Sequence, residues 1–472
     1  MRGMRRHGVI VLALALAVSI GTLQAGAAGG DPAGSVGEER FSVPAATAAL
    51  GSSSAGGAGG AGGSASNMEL VGHFDPGVES LSADVWVHDG FAYLGSPNRG
   101  CTGHGARILD VSDPTNPVHT STVAETAGSS AEDIVVRKVR TPFFRGDLLA
   151  VGIQDCVGTR EAENSGFNLY DVSDPTNPVW LSFFGTSVEG FVGGPAGVHE
   201  LDMIERGNRV YALLAVPNSE TRHPEQQGDF RIVEITDPQH PVQLAHWGVG
   251  AQLGLDPATG QGCSRTRFNH SVSSNRAGTL AYLSYWDAGM ITLDIRDPAN
   301  PVFLGRTVYP SDADGDTHSV HVTRGGTLAL VQDEDFCFNV PNEGQPRSWG
   351  FLRFFDISDP RNPIQVATYA TPNTTSLDAP PGRFTVHNSV VRGQTAYVSW
   401  YSDGIRALRI RDLGNIREIG HFVPPPGEGR GGLPTSAQVW GVVVENSRDH
   451  GRLVYFSDIL SGLWIVRLTP GS

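Results

Sequence analysis

One phrase recurs along this chain at a near-constant interval. It reads ARILDVSDPTNPV (106–118), FNLYDVSDPTNPV (167–179), FRIVEITDPQHPV (230–242), MITLDIRDPANPV (290–302) and LRFFDISDPRNPI (352–364). A sixth copy, IRALRIRDLGNI (405–416), lacks the prolines, and a seventh, LWIVRL (463–468), runs out near the C-terminus. The Asp of each Asp-Pro falls at 113, 174, 237, 297 and 359, with Asp412 as its counterpart, so the intervals are 61, 63, 60, 62 and 53. Self-similarity at this period points to a repeat architecture, in which each unit buries its apolar faces against its neighbours. Two unrelated β-sandwiches would not explain the even spacing.

Each repeat has one internal order. A β-branched stretch such as DVWV (84–87) meets a Gly turn and a second stretch such as FAYLG (91–95). After a variable loop come the ILDV-type strand, the Asp-Pro turn and a last strand such as VFLGRT (302–307). That is four short strands per repeat. The turn has a mechanism: Asp accepts backbone hydrogen bonds and the following Pro presets φ. The second Pro has no N–H for a ladder, so the strand it opens is expected at a sheet edge. Four-stranded antiparallel sheets repeated radially describe an all-β, seven-bladed β-propeller. First strands are expected near Asp84, Asp133, His199, His270, His318, His387 and Gln438. The seventh repeat ends after its third strand, and ELVGHF (69–74) resembles the fourth strands. An N-terminal strand closing the last blade is therefore expected, which removes an exposed edge.

These residues resemble the LVIVD-repeat family of secreted or surface-anchored bacterial and archaeal β-propellers. The resemblance covers roughly 69–468 and is carried by the I/L-x-[DE]-[VI]-x-DPxNP element. It implies the fold and an extracellular setting, and says little about activity. The Gly-His and Trp-Asp pairs of WD40 repeats do not recur.

Outside the repeats the chain is of a different kind. Arg2, Arg5 and Arg6 precede an apolar run from Val9 to Ile20 and an A-x-A site at Ala25-Gly26-Ala27. This reads as a signal peptide over 1–27, cleaved near residue 27, and the run is too short to span a membrane. No lipid or C-terminal anchor is apparent, so a released protein is expected. Residues 28–66 are Ala/Gly/Ser-rich and read as a flexible linker. The propeller is expected over 67–472. Basic residues number 34 against 49 acidic, a net charge of −15. That balance argues against a broad nucleic-acid or anionic-membrane surface. A monomer is expected.

A blade needs about forty residues, as WD repeats show. The surplus here lies between strands two and three, and between one repeat's fourth strand and the next repeat's first. In an up-and-down blade these two connections emerge on one face. That loop face is the expected binding face for a protein or small-molecule ligand. Cys101, Cys156, Cys263 and Cys337 all fall on it and read as disulfide staples. Of three possible connectivities, blade adjacency favours Cys101–Cys156 with Cys263–Cys337.

The histidines carry the sharpest signal. His199, His270, His318 and His387 open four consecutive first strands. Their separations from Tyr211, Tyr282, Leu330 and Tyr397 are 12, 12, 12 and 10, all even. Strand side chains alternate with period two, so the four are expected to point together at the loop-side mouth of the central channel. Such a ring could hold copper, zinc or iron. It could equally be a polar or pH-sensitive ligand site, or a structural feature of a wet channel. His321 and Glu200 are secondary ligand candidates, and Asn269, Ser319 and Asn388 could support the first ligands. In the first two repeats the equivalents fall near Asp84 and Asp133. Asp312, Asp314 and Asp316 surround a turn Gly and could hold calcium. The Asp that follows several second strands (155, 287, 333, 403, 458) reads as turn-forming. No nucleophile elbow, P-loop, H-E-x-x-H or dinucleotide fingerprint stands in a suitable context, and no catalytic residue is assigned. The two functional readings are a secreted binding module and a metal-dependent oxidoreductase or hydrolase centred on the histidines.

Overall fold

The computed structural model describes residues 63–77, 80–97, 104–155, 165–186, 197–222, 227–262, 266–309, 313–338, 347–429, 432–447 and 449–469. The expected signal peptide, most of the Ala/Gly/Ser-rich segment, Cys101, Cys156, Cys263 and Asp312 lie outside them. Seven antiparallel sheets form a ring. The first strand of each blade contacts the first strands of its neighbours around the axis. Those seven strands are Val85–His88, Ser129–Arg140, Leu201–Arg206, Asn269–Ser274, Thr317–Thr323, Ser389–Arg392 and Val439–Ser447. The chain is a seven-bladed β-propeller, as the repeats require.

Burial follows from the blade stacking. Second and third strands are covered on both faces by neighbouring blades, so they are apolar on both sides. Leu328–Asp333 is buried at all six positions, whereas the outermost strand of the same blade, Ile364–Tyr369, has none fully buried. Outermost strands begin directly after the second Pro, at Val118, Val179, Val242, Val302 and Ile364. The fourth strand of each of the seven blades also carries a register shift. Bulges twist an edge away from foreign strands, which is one way natural sheets avoid edge-to-edge pairing.

The Asp-Pro turns behave alike. Asp113, Asp174, Asp237, Asp297, Asp359 and Asp412 each accept the backbone N–H two residues on at 3.0–3.1 Å. Each also accepts the N–H three residues on at its own carbonyl.

The ring closes as expected. Met68–Phe74 pairs with Gly462–Leu468 and supplies the last blade's outermost strand. Just before it, Ser64–Ser66 pairs with Arg417–Val423 and gives the sixth blade a fifth strand. The Ala/Gly/Ser-rich segment therefore does not stay a linker to its end at residue 66. Small residues are no obstacle here, because the added strand is held by its backbone. Asn67, at φ 52°, turns the chain from one blade to the next, and its side-chain amide donates to the Ile419 carbonyl.

Candidate functional site

All seven first strands open with the same backbone device. In each, two residues oppose one residue of the second strand, which is a β-bulge. Ala83 and Asp84 oppose Gly95, His199 and Glu200 oppose Ala215, and His387 and Asn388 oppose Ser399. Register shifts place the same feature at Glu132/Asp133, His270/Ser271, His318/Ser319 and Trp440/Gly441. A bulge re-aims side chains that a regular strand would alternate, so two successive residues of each blade reach the axis. The first bulge residues form one ring: Ala83, Glu132, His199, His270, His318, His387 and Trp440. The second form another: Asp84, Asp133, Glu200, Ser271, Ser319, Asn388 and Gly441.

This corrects the register in the first two blades. The counterparts of the histidines there are Ala83 and Glu132, and Asp84 and Asp133 belong to the second ring. The rings are crowded. A Cβ added to Gly441 would stand 2.0 Å from an Asp84 carboxylate oxygen, so glycine leaves that carboxylate its space.

The four histidines come together. Successive ring centroids lie 4.2, 4.1 and 3.9 Å apart from His199 to His387. Nε2 of His199 and Nε2 of His270 are 2.9 Å apart. His199 Nδ1 lies 3.0 Å from Gln154 Oε1 and 3.4 Å from Glu132 Oε2. His387 Nδ1 lies 3.1 Å from the Trp440 carbonyl. A ring N–H donated at Nδ1 leaves the Nε2 lone pair facing inward, the arrangement that orients metal-binding imidazoles.

Three glutamates complete the cluster. Glu200 Oε1 stands 3.7 Å from His270 Nδ1 and 3.8 Å from His318 Nε2. Glu334 places one oxygen 3.6 Å from His318 Nε2 and the other 3.7 Å from His387 Nε2, and it accepts a hydrogen bond from the Tyr401 hydroxyl. Glu132 closes the arc beside His199. Donors that share one ion at about 2.0–2.2 Å stand about 3.0–4.2 Å apart. The His318–Glu200 and His318–Glu334 separations fall inside that range and are too long for hydrogen bonds. Two overlapping ligand sets emerge, His199/Glu200/His270 and His270/His318/Glu334, with donor atoms within 4.8 Å of one another in each.

The cluster is dry. The four histidines are 0–2% exposed, so they are not at an open, wet mouth. Trp286 lies beside His270, and Tyr401 and Trp440 beside His387, at 4.4–5.4 Å between ring centroids. Burial holds His270, His318 and His387 well below the usual imidazole range, and the neighbouring imidazoles add to it. Burial pushes carboxyls the other way. Asp84 rises to about 7, and Asp133 and Glu200 rise well above their ordinary values, helped by one another's charges. Neutral imidazoles beside carboxyls that resist ionisation form a site that a divalent cation would relieve, exchanging for protons.

Access runs along the axis. A cavity of about 490 Å³ is lined by first strands of all seven blades. Its end next to the cluster carries Asp84, Asp133, Glu200 and Asn388, and its hairpin end carries Arg137, His321, Arg392 and Glu445. The structure thus places Glu200 with the histidines and His321 apart from them. His321 Nε2 accepts the Val391 N–H, and burial and the Arg392 charge lower it to about 4. Ser319 serves the backbone, donating to the His387 carbonyl. Asn388 reaches Asp84 at 3.4 Å. Glu334, Glu132 and Trp440 are additions that sequence reasoning missed. Glu334 stood in a visible run of three acids, Asp333-Glu334-Asp335, at the end of a buried strand.

Asp314 and Asp316 form a second group with Asp335 and Cys337, donor atoms again within 4.8 Å. The aspartates that end second strands differ in role: Asp458 is turn-forming, whereas Asp333 makes a buried ion pair instead. Asp333 is paired with the buried Arg353, and Asp458 accepts the N–H groups of Gln438, Leu460 and Ser461.

The LVIVD-repeat family model matches residues 81–125 and 277–308, the first blade and most of the fourth, and the chain carries LVIVD repeats. No curated protein matches it. Among solved structures, the crystal structure of Chaetomium thermophilum Raptor is similar, with a TM-score of 0.52 and 11% identity. The likeness covers 85% of this chain and 30% of that one, and it shows the fold alone.

Proposed function

We propose that this LVIVD-repeat propeller is a secreted binding module that holds a transition metal on its axis. The observation that carries the reading is His318: a fully buried imidazole whose Nε2 stands 3.6 and 3.8 Å from two carboxylates of different blades. His270, His318 and Glu334 would be the core ligands, with His199, His387 and Glu200 completing either flank. Imidazoles with a carboxylate suit zinc, iron or copper. When bound, the metal would supply Lewis acidity or redox chemistry, and Glu200, which lines the axial channel, would be its link to a small polar ligand there. That same link supports the second reading, a metal-dependent oxidoreductase or hydrolase.

The disulfides belong to this extracellular reading. Cys337 stands beside Asp335, whose carboxylate accepts its N–H. Gly262 lies against Asp314, in the same group as Cys337, so Cys263 is its proposed partner, leaving Cys101 with Cys156. Non-reducing peptide mapping tests the pairing.

Metal analysis of protein purified without a His tag tests the centre, beside a His270→Ala/His318→Ala variant. Wild type is expected to carry, or take up tightly, one transition metal that the variant loses. Wild type that takes up none would overturn the reading. Metal that survives the double substitution would show that the ligands are elsewhere. If metal binds, turnover of hydrolytic and redox probes that the variant loses would favour the enzyme.

A further inference from the structure

A second charged cluster lies beside the axial one, on the loop side of the fifth blade. Asp314 and Asp316 flank Gly315 just before the first strand, and Asp335 follows the second strand. Their donor atoms lie within 4.8 Å of one another, and all three residues are at most 3% exposed. Acidic side chains alone do not make a site. Here Asp316 adds a separate signal. It is 1% exposed, and its Oδ1 has no hydrogen-bond partner among the described residues. A carboxyl oxygen buried without a partner is expensive whether it is ionised or protonated. One Asp316 carboxylate oxygen also lies within 4.8 Å of oxygens of Asp314 and Asp335.

We infer that Asp314, Asp316 and Asp335 hold a hard divalent cation of the calcium class. Carboxylate oxygens on short, separate segments are the ligands that calcium takes. Cys337, the remaining member of the group, has its sulfur committed to the proposed disulfide, and a hard cation would not seek it. The position gives the ion a second effect, which rests on the axial-metal reading above. Asp316 is separated from His318 by Thr317 alone, and Asp335 adjoins Glu334. The Glu334 N–H donates to the Asp316 carbonyl at 2.8 Å. An ion bridging Asp316 and Asp335 clamps together the two segments that carry His318 and Glu334 to the axis. Calcium binding therefore strengthens transition-metal binding, and by linkage the reverse holds.

Titration calorimetry with calcium chloride tests the site on chelator-treated, tag-free protein. Wild type is expected to bind one calcium ion and to gain thermal stability. Asp316→Asn, and separately Asp314→Asn, should weaken that binding by about tenfold or more. Two variants guard against one that fails to fold, and His270→Ala should keep calcium binding. No binding by wild type, or equal binding by both folded Asp variants, overturns the site. Zinc affinity is then measured with and without calcium. A severalfold gain with calcium supports the clamp, and an unchanged affinity overturns it while leaving the calcium site standing. If neither zinc nor copper nor iron binds, the axial reading fails and the calcium titration still decides this one.

Discussion

The seven bulges are one backbone device carrying two chemistries. In blades three to six the first bulge residue is His, and the imidazoles stack into a continuous arc. In blades seven, one and two the same position holds Trp440, Ala83 and Glu132. Trp440 caps the arc at His387 through its carbonyl, and Glu132 caps it at His199. Ala83 fills the remaining position with the least volume. The second ring is complementary: its carboxylates, Asp84, Asp133 and Glu200, fall in blades one to three. The scaffold is nearly seven-fold, and the chemistry is not. Nothing in propeller packing demands four adjacent buried imidazoles, and the proposed axial ligand gives that asymmetry a reason.

The largest expected effect separates the two arcs directly. His318→Ala removes the imidazole that stands between Glu200 and Glu334, and metal affinity should drop by at least about 100-fold, since even supporting residues commonly cost 10–100-fold. Trp440→Phe keeps the carbonyl that orients His387 and should change affinity by less than about threefold. Competition with a chromophoric chelator reads both. Equal losses would mean that the caps bind as strongly as the arc, and the division proposed here would fail.

The next prediction concerns pH, where the arcs pull in opposite directions. Asp84 has a folded value of about 7 against an ordinary 3.8, so the folded chain holds the extra proton between those limits. Its contribution is present below the unfolded value and is lost as pH rises through about 7. The imidazoles of His270, His318 and His387 sit well below 6.5 in the folded state. Their contribution is present above the unfolded value and is lost as pH falls below it. By about pH 6.5 the imidazole limb is half spent and the carboxyl limb outweighs it, so Tm in chelator should fall from there to about pH 8. Asp229 and Asp287, also raised to about 7 by burial, add to the carboxyl limb. Asp84→Asn should remove the axial share, and saturating zinc should flatten the fall by replacing protons. A Tm that rises from about pH 6.5 to 8 in chelator would contradict the opposed titrations.

Much of this arrangement was legible in the repeats. Asp-Pro punctuation gave the blade count because each Asp must satisfy backbone donors at the same turn. Period-two alternation brought the four histidines to one end of the channel, since all four occupy equivalent positions. It failed in the first two blades, where Asp84 and Asp133 stood for Ala83 and Glu132. A bulge inserts one residue, and no side-chain period records where it falls. Glu334 was hidden differently: it reaches the axis from the end of a second strand, through a contact between blades that local spacing does not encode. The strand Ser64–Ser66 was read as linker because backbone pairing leaves no pattern in small residues. The burial of the site comes from Trp286 and Tyr401, which end second strands of the histidines' own blades, and from Trp440 of the neighbouring blade, contacts that strand spacing does not encode.

The smallest expected effect comes from the rim, in the same blade that carries Glu132 and Asp133. Asp174 accepts the Thr176 N–H at 3.1 Å and its hydroxyl at 2.7 Å, in a turn exposed to water. Removing it leaves those donors to solvent, which replaces most of what is lost. Pro175 still presets its own φ, and Asn177 still donates to the carbonyl of residue 174. Asp174→Ala should therefore lower Tm by only about 1–3 °C. It should leave metal affinity and the decline of Tm above pH 6.5 as they are in wild type, because no charge near the axis has changed. Asp133→Asn, one titratable carboxyl removed at the axis, should move both. If the rim substitution altered metal binding as much as the axial one, the effect would be one of net charge, and the two rings would lose their claim to be the site.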